Sequence, residues 1–228
     1  MNAVIPLHPD AAAPRFSIVV PHYDGAISDA LLLRGLESLA RQTFEDFEVL
    51  LFHDGPLSRP LPELARFPLK IRLGVTPQRF NDWGHSLRDL GIHHARGDYI
   101  VHFNPDNVLY PHALETLDRA ARAPVDPAPE PEYRENPQVL IYAVLMRGMR
   151  TNGATVWRDR TSAQHIIMQG YPVQHGAIDC MQLVATRSLW HEIGGWYDRR
   201  EASDAFIYRA LVHNRGARYV PEILGEHW

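Results

Sequence analysis

The sequence predicts a single α/β domain with a mainly parallel central sheet flanked by helices, and two observations carry that expectation. Short apolar runs of strand length alternate with segments of helical period. The acidic turns His53-Asp54-Gly55 and Asn104-Pro105-Asp106 both fall where such a run ends. In an open parallel sheet, ligands bind beyond the carboxyl ends of the strands, so Asp54 and Asp106 are expected to share one crevice.

Phe16 to Val20 is a continuous apolar run closed by Pro21, the pattern of a strand buried on both faces. From Ser28 the period changes: Leu32, Leu36, Leu39 and Ala40 recur at helical spacing, and Glu37 and Arg41 are placed to pair at i, i+4. Phe47 to Phe52 is the next strand, and strand, helix, strand in that order makes a right-handed parallel unit. Lys70 to Leu73 reads as a short strand, the segment through Leu87, Leu90 and His94 as a helix, and Tyr99 to Phe103 as a fourth strand. Pro111 suits the first turn of a helix that runs to about Arg122. The Pro-rich stretch Pro124 to Pro137 reads as an inserted surface loop, and Val139 to Met146 resumes as a strand. Arg147 to Pro172 is polar, Gly-punctuated and without a period, so a long mobile loop facing substrate is expected. Beyond it, Ile178 to Ala185 reads as a strand, Ser188 to Ile193 as a short helix closed by Gly194-Gly195, and Ser203 to Asn214 as a helix closed by Gly216.

At 228 residues and 45% hydrophobic content, the chain can bury one substantial core and is short for two. Net charge is −4 and the 13 His are scattered, so no basic stripe points to nucleic acid as a partner. The lone Cys180 cannot form an internal disulfide, and the start MNAVIPLHPDAAAPR has neither a basic n-region nor a long apolar run, so a cytoplasmic protein with a disordered leader over 1–15 is expected. No stretch approaches the roughly 20 apolar residues that span a bilayer, although peripheral membrane association would leave no such mark. The chain has no Gly-x-Ser-x-Gly elbow, no dinucleotide fingerprint after the first strand and no P-loop, so hydrolase, dehydrogenase and kinase readings lose their anchors.

Five segments carry a resemblance when taken in order: Pro21-His22-Tyr23 at the end of the first strand, ESLARQTFEDFEVLLFHDG, RDLGIHHARGDY, FNPDNVLYPHALE and GGWYDRREASDAFIYRAL. Together they resemble the family 2 glycosyltransferases of the GT-A type from Phe16 to the end of the chain, and ordered co-occurrence is more specific than any one motif. The resemblance implies an inverting enzyme that moves a sugar from a nucleoside-diphosphate donor to a hydroxyl of a carbohydrate or other acceptor, in polysaccharide or glycoconjugate synthesis. It implies a domain over 16–228, with a nucleotide-sugar half at 16–123 and an acceptor half at 138–228. It places Pro21, His22, Tyr23, Asp54, Arg79, Asn104 and Asp106 at the donor, with Asp54 accepting an N–H of the base. It makes Asp106 a ligand for Mn²⁺ or Mg²⁺ and Asp204 the catalytic base; apart from the resemblance, His227 is a candidate further ligand because a neutral imidazole suits Mn²⁺, and Glu201 is the fallback base.

The chemistry needs such groups whatever the family. A departing nucleoside diphosphate develops negative charge that a divalent cation stabilises, and a hard cation takes most of its oxygen ligands from phosphate and water, so one carboxylate can anchor it. Inversion needs a base to take the proton of the attacking hydroxyl. Each residue also has a plainer reading. Asp106 and Asp54 suit Asx turns, Asp204 suits the first turn of a helix, where its pKa would be lowered, and Arg79 and Arg88 suit a solvated surface. Two departures from the family pattern stand out, Pro105 in place of a second acid and His53 in place of the acid before Asp54. They keep a non-catalytic sugar-nucleotide-binding protein open as an alternative, beside a nucleotidyltransferase.

Overall fold

The computed structural model describes residues 12–125, 135–152, 156–159, 161–201, 203–213 and 215–228. Strand β1 (Phe16–His22) is buried along its whole length, as its unbroken apolar run requires. Helix α1 (Asp29–Ala40) starts where Ser28 accepts the Leu31 amide, and the expected Glu37–Arg41 pair forms at 2.5 Å. Then come β2 (Phe47–His53), β3 (Ile71–Val75), α2 (His85–His94), β4 (Tyr99–His102), β5 (Val108–Leu109) and α3 (Ala113–Arg122). The second half adds β6 (Val139–Arg147), β7 (Met149–Thr151), β8 (Val156–Arg158), β9 (His165–Met168), β10 (Leu183–Thr186), α4 (Arg187–Glu192), α5 (Asp204–Val212) and β11 (Arg218–His227).

The main sheet runs β3-β2-β1-β4-β10-β6-β11-β5, with β9 added to the end of β6. The expected parallel character holds through β3-β2-β1-β4 and again between β6 and β11, while β10, β5 and β9 pair antiparallel. Alternate residues of β1 feed two cores, because successive side chains of a strand point to opposite faces. Ile18 and Val20 pack with Leu32, Leu36 and Leu39 of α1 and with Leu114 and Leu117 of α3. Val19 packs with Ile92 of α2, with Trp190 of α4 and with Ile207 and Leu211 of α5. The result is three layers, α/β/α, with helix α1 pressed close to the Asp106 turn: a Cβ on Gly35 would strike the carbonyl of Pro105.

The structure departs from the sequence reading over Arg147 to Pro172, at β11, and over Ile178 to Ala185, where a 3₁₀ turn at Cys180–Gln182 stands in the first part of the expected strand and β10 follows it. Arg147 to Pro172, expected as a loop, carries β7 and β8 as an antiparallel pair and β9 on the edge of β6, all of them short. Strand β11 was not expected, because Pro221 and Gly225 interrupt its pattern and its register against β6 shifts on either side of Ile223. Of the expected leader, residues 12–15 are described, and Arg15 is tied down by ion pairs to Asp98 and Asp118. Residues 1–11, and 126–134 of the expected Pro-rich insertion, lie outside the described residues.

Candidate active site

The first wall of the site is the end of β2. Gly55 turns the chain at φ +86°, a left-handed conformation that glycine adopts without strain. That turn aims the buried Asp54 at the segment after β3, where its two carboxylate oxygens accept the Phe80 amide at 2.7 Å and the Asn81 amide at 3.1 Å. The unexpected His53 is fully buried beneath it. Its Nε2 faces the Asp24 amide at 3.3 Å and the Asp24 carboxylate at 3.5 Å, and its Nδ1 meets the Gly55 carbonyl at 2.7 Å, where the ring can donate only from Nδ1. His53 therefore closes the turn that presents Asp54. His22 lies beside it, ring centroids 5.2 Å apart, and contributes its carbonyl to the Asp54 amide at 2.8 Å. Burial holds the His22 imidazole down at about 4, so it is uncharged at neutral pH. Tyr23 lies under the Arg79 guanidinium, 3.6 Å from ring centroid to charge.

The second wall is the end of β4. Arg88 reaches across from α2, 4% exposed, and donates to Asn104 Oδ1 at 2.7 Å and to the Trp83 carbonyl at 2.9 Å. Its guanidinium lies 5.1 Å from the Trp196 ring and makes no contact ion pair among the described residues, although its charge reaches the carboxylates of Asp179 and Asp204. A buried cation that no carboxylate touches is costly, and a bound anion would relieve that cost. Asp106 is half-buried; its carbonyl accepts from Arg34 at 2.6 Å, and its carboxylate makes no hydrogen bond or ion pair among the described residues. Asn81 and Trp83, both at positive φ, form the outer lip between the two walls, with Trp83 64% exposed. The walls enclose a cavity of about 430 Å³. All seven residues expected at the donor, Pro21, His22, Tyr23, Asp54, Arg79, Asn104 and Asp106, line it.

Asp204 and His227 stand outside that lining. Asp204 opens α5, but the helix terminus does not lower its pKa as expected. Burial raises it, the Asp179 carboxylate adds to the rise, and the amide of Ala205 and the charge of Arg88 only partly offset them. His227 places Nδ1 3.1 Å from Asp179. Burial alone would lower the pKa of this imidazole, and the Asp179 carboxylate outweighs burial and raises it. Asp179 is in turn held below the usual carboxylate range, because His227 and the Met181 amide overcome the cost of burial. Glu201 is exposed. Asp179 carries no site motif in the sequence; the local signal is Asp179-x-x-Gln182, which spells a reciprocal helix cap, and the structure forms it.

A sequence model described as "Glycosyl transferase family 2" matches residues 17–173, more than half of the chain. This chain belongs to glycosyl transferase family 2. A "PGL/p-HBAD biosynthesis glycosyltransferase" of Mycobacterium tuberculosis (strain ATCC 25618 / H37Rv) is 32% identical over 111 residues, 48% of this chain and 41% of that protein. An "Uncharacterized glycosyltransferase" of Rickettsia bellii is 29% identical over 101 residues, 44% of this chain and 14% of the relative. The chain thus spans less than half the length of these relatives. Among solved structures, S. aureus TarS 1-349 in complex with UDP-GlcNAc superposes with a TM-score of 0.66 at 14% identity, covering 93% of this chain and 58% of that one. The mannosyltransferase PcManGT from Pyrobaculum calidifontis, in complex with GDP-Man and Mn²⁺, gives 0.61 at 15% identity, covering 95% and 57%. The fold of this family 2 glycosyltransferase is GT-A, and no helix among its described residues is long and apolar enough to cross a membrane.

Proposed function

We propose that this glycosyltransferase moves a sugar from a nucleoside-diphosphate donor to an acceptor hydroxyl with inversion, assisted by a divalent cation. The observation that carries the reading is the unpaired Arg88 in a cavity shared by Asp54 and Asp106. Strand β1 lies between β2 and β4, so the two acidic turns stand two strand spacings, about 10 Å, apart. That separation suits a nucleoside at the Asp54 end and a diphosphate at the Asp106 end.

Asp54 holds the lip through Phe80 and Asn81 and keeps lone pairs for an N–H of the base. Arg88 meets the diphosphate with a charge that burial makes strong. The residues present fit Mn²⁺ or Mg²⁺: the Asp106 carboxylate is open, and Asp179 occupies the Nδ1 side of His227, leaving Nε2 as that ring's ligating nitrogen. Among the described residues no cluster of three such groups exists, so phosphate and water would complete the shell. A bound cation supplies Lewis-acid stabilisation of the departing diphosphate. Asp204, with its raised pKa and within electrostatic reach of Arg88, takes the proton of the attacking hydroxyl. Glu201, exposed, is the weaker candidate. His53 builds the turn and leaves Asp54 in place, so that departure gives no support to a non-catalytic module. We assign the reaction to the cytoplasm and to polysaccharide or glycoconjugate synthesis.

A thermal-shift series with UDP, GDP and dTDP, each with and without Mn²⁺, tests the donor side, because a ligand that binds only the native state raises the melting temperature. One nucleotide should stabilise the protein, and more so with Mn²⁺. Donor hydrolysis or transfer from the matching sugar nucleotide then separates an enzyme from a binding protein. Indifference to all three nucleotides would overturn the reading.

A further inference from the structure

On the other side of Asp106 from the donor cavity lies a second cavity of about 290 Å³, lined among others by Leu31, Arg34, Arg147, Arg158 and Trp228. Three arginines converge on it from α1, β6 and β8, in a chain whose net charge is −4. Arg147 is neutralised by a two-pronged pair with Glu226 at 2.8 and 3.0 Å. Arg34 has no carboxylate partner among the described residues. Its guanidinium lies 4.4 Å from the Trp228 ring, one amino group donates to the Asp106 carbonyl, and its Nε is buried with no hydrogen-bond partner. A stacked and pinned guanidinium with an unused donor has already lost the freedom that binding would otherwise cost.

We propose that this cavity is an anion subsite for the acceptor, taking a phosphate group carried beside the hydroxyl that is glycosylated. Guanidinium groups arriving from three elements suit a tetrahedral phosphate, whose oxygens point several ways, better than a planar carboxylate. Leu31 and the Trp228 ring supply an apolar wall for the rest of the acceptor. Asp106 borders both cavities, so an acceptor anchored here is presented at the diphosphate end of the donor. The assignment rests on the proposed donor site, and it adds a substrate class: acceptors that carry a phosphate.

The test saturates the protein with UDP and Mn²⁺, so that the donor cavity is filled, and titrates phenyl phosphate by calorimetry, with inorganic phosphate, benzoate and phenol as comparison probes. Phenyl phosphate should bind the UDP-saturated protein more tightly than benzoate or phenol. Arg34→Gln and Arg158→Gln should each weaken it by about tenfold or more, the scale of one lost charge-assisted contact. Should Arg34→Gln disturb Asp106, UDP affinity would fall in that variant, and Arg158→Gln then decides. Absence of binding to the UDP-saturated protein, displacement of UDP by phenyl phosphate, equal binding of benzoate or phenol, or wild-type affinity in both variants would each overturn the subsite. Failure of the wild type to bind UDP at all is a different result, and it strikes the donor site instead.

Discussion

Arg88 reaches from α2 to donate to Asn104 Oδ1 at 2.7 Å, tying the helix to the turn beyond β4 and holding a buried charge at the wall of the cavity between the two acidic turns. In the proposed site the residue serves both framework and ligand, and the two roles separate on substitution. Arg88→Gln keeps a donor for Asn104 or the Trp83 carbonyl and removes the charge. UDP affinity measured by calorimetry should fall about tenfold or more, since hydrogen bonds to charged groups contribute about 1.5–3 kcal/mol. A variant that melts earlier yet binds UDP within about twofold of wild type would make Arg88 structural only.

Asp106 presents an open carboxylate, so Asp106→Asn should leave the melting temperature of the ligand-free protein nearly unchanged, because no partner is orphaned. The extra stabilisation that Mn²⁺ adds to UDP should disappear, and transfer should fall with it. Wild-type transfer that persists in excess chelator, or full activity in the Asn variant, would remove the metal role.

Buried histidines make stability depend on pH. His22 and His85 are held at about 4 chiefly by burial, and His102, fully buried against Trp190 and Trp196, well below the ordinary value. Between those values and the unfolded value of about 6.5 the unfolded chain binds more protons, so stability is full above about 6.5 and declines as pH falls toward 4. His22 and His85 each contribute on the order of 3 kcal/mol across that window. The raised pKa values of Asp204 and His227 work in the opposite direction and are outnumbered. Melting temperature should therefore drop steadily from pH 7 to pH 4.5, and His22→Gln should flatten the slope. A flat profile for the wild type would contradict the burial of these rings.

The legible parts of this fold are those where one physical signal dominates. β1 and β2 are buried on both faces and read as unbroken apolar runs, and α1 shows its stripe of leucines and its surface pair. The shared cavity of Asp54 and Asp106 was legible because each acidic turn ends a strand, and chain topology brings strand ends together without further information. β11 was illegible because Pro221 and Gly225 break its alternation, and it is held by pairing with β6, a contact no local pattern displays. The state of Asp204 was misjudged for a related reason. Helix position is local, whereas its burial and its proximity to Asp179, 25 positions earlier in the chain, appear only on folding. Arg88 likewise reads as any helical arginine until α2 lies against β1 and β2.

That raised pKa sharpens the last prediction. A base must be deprotonated to act, so transfer should rise with pH through the pKa of Asp204, and the acid limb should lie above the ordinary carboxylate range. Asp204→Asn keeps size and the capability to accept the Ala205 amide but cannot take a proton. Turnover should fall by about 10²- to 10⁴-fold while donor affinity barely moves. The acid limb should vanish from what activity remains. A capping role predicts otherwise, since Ser203 makes no side-chain cap bond and Asp204 is the first acidic group of α5. In that case Asp204→Asn would be nearly silent, and Asp204→Ala would cost about 1 kcal/mol of stability with little change in turnover. Turnover against pH, UDP affinity and melting temperature for both variants decide between the two. An Asn variant with near wild-type turnover would take Asp204 out of the mechanism and leave Glu201 as the next residue to substitute.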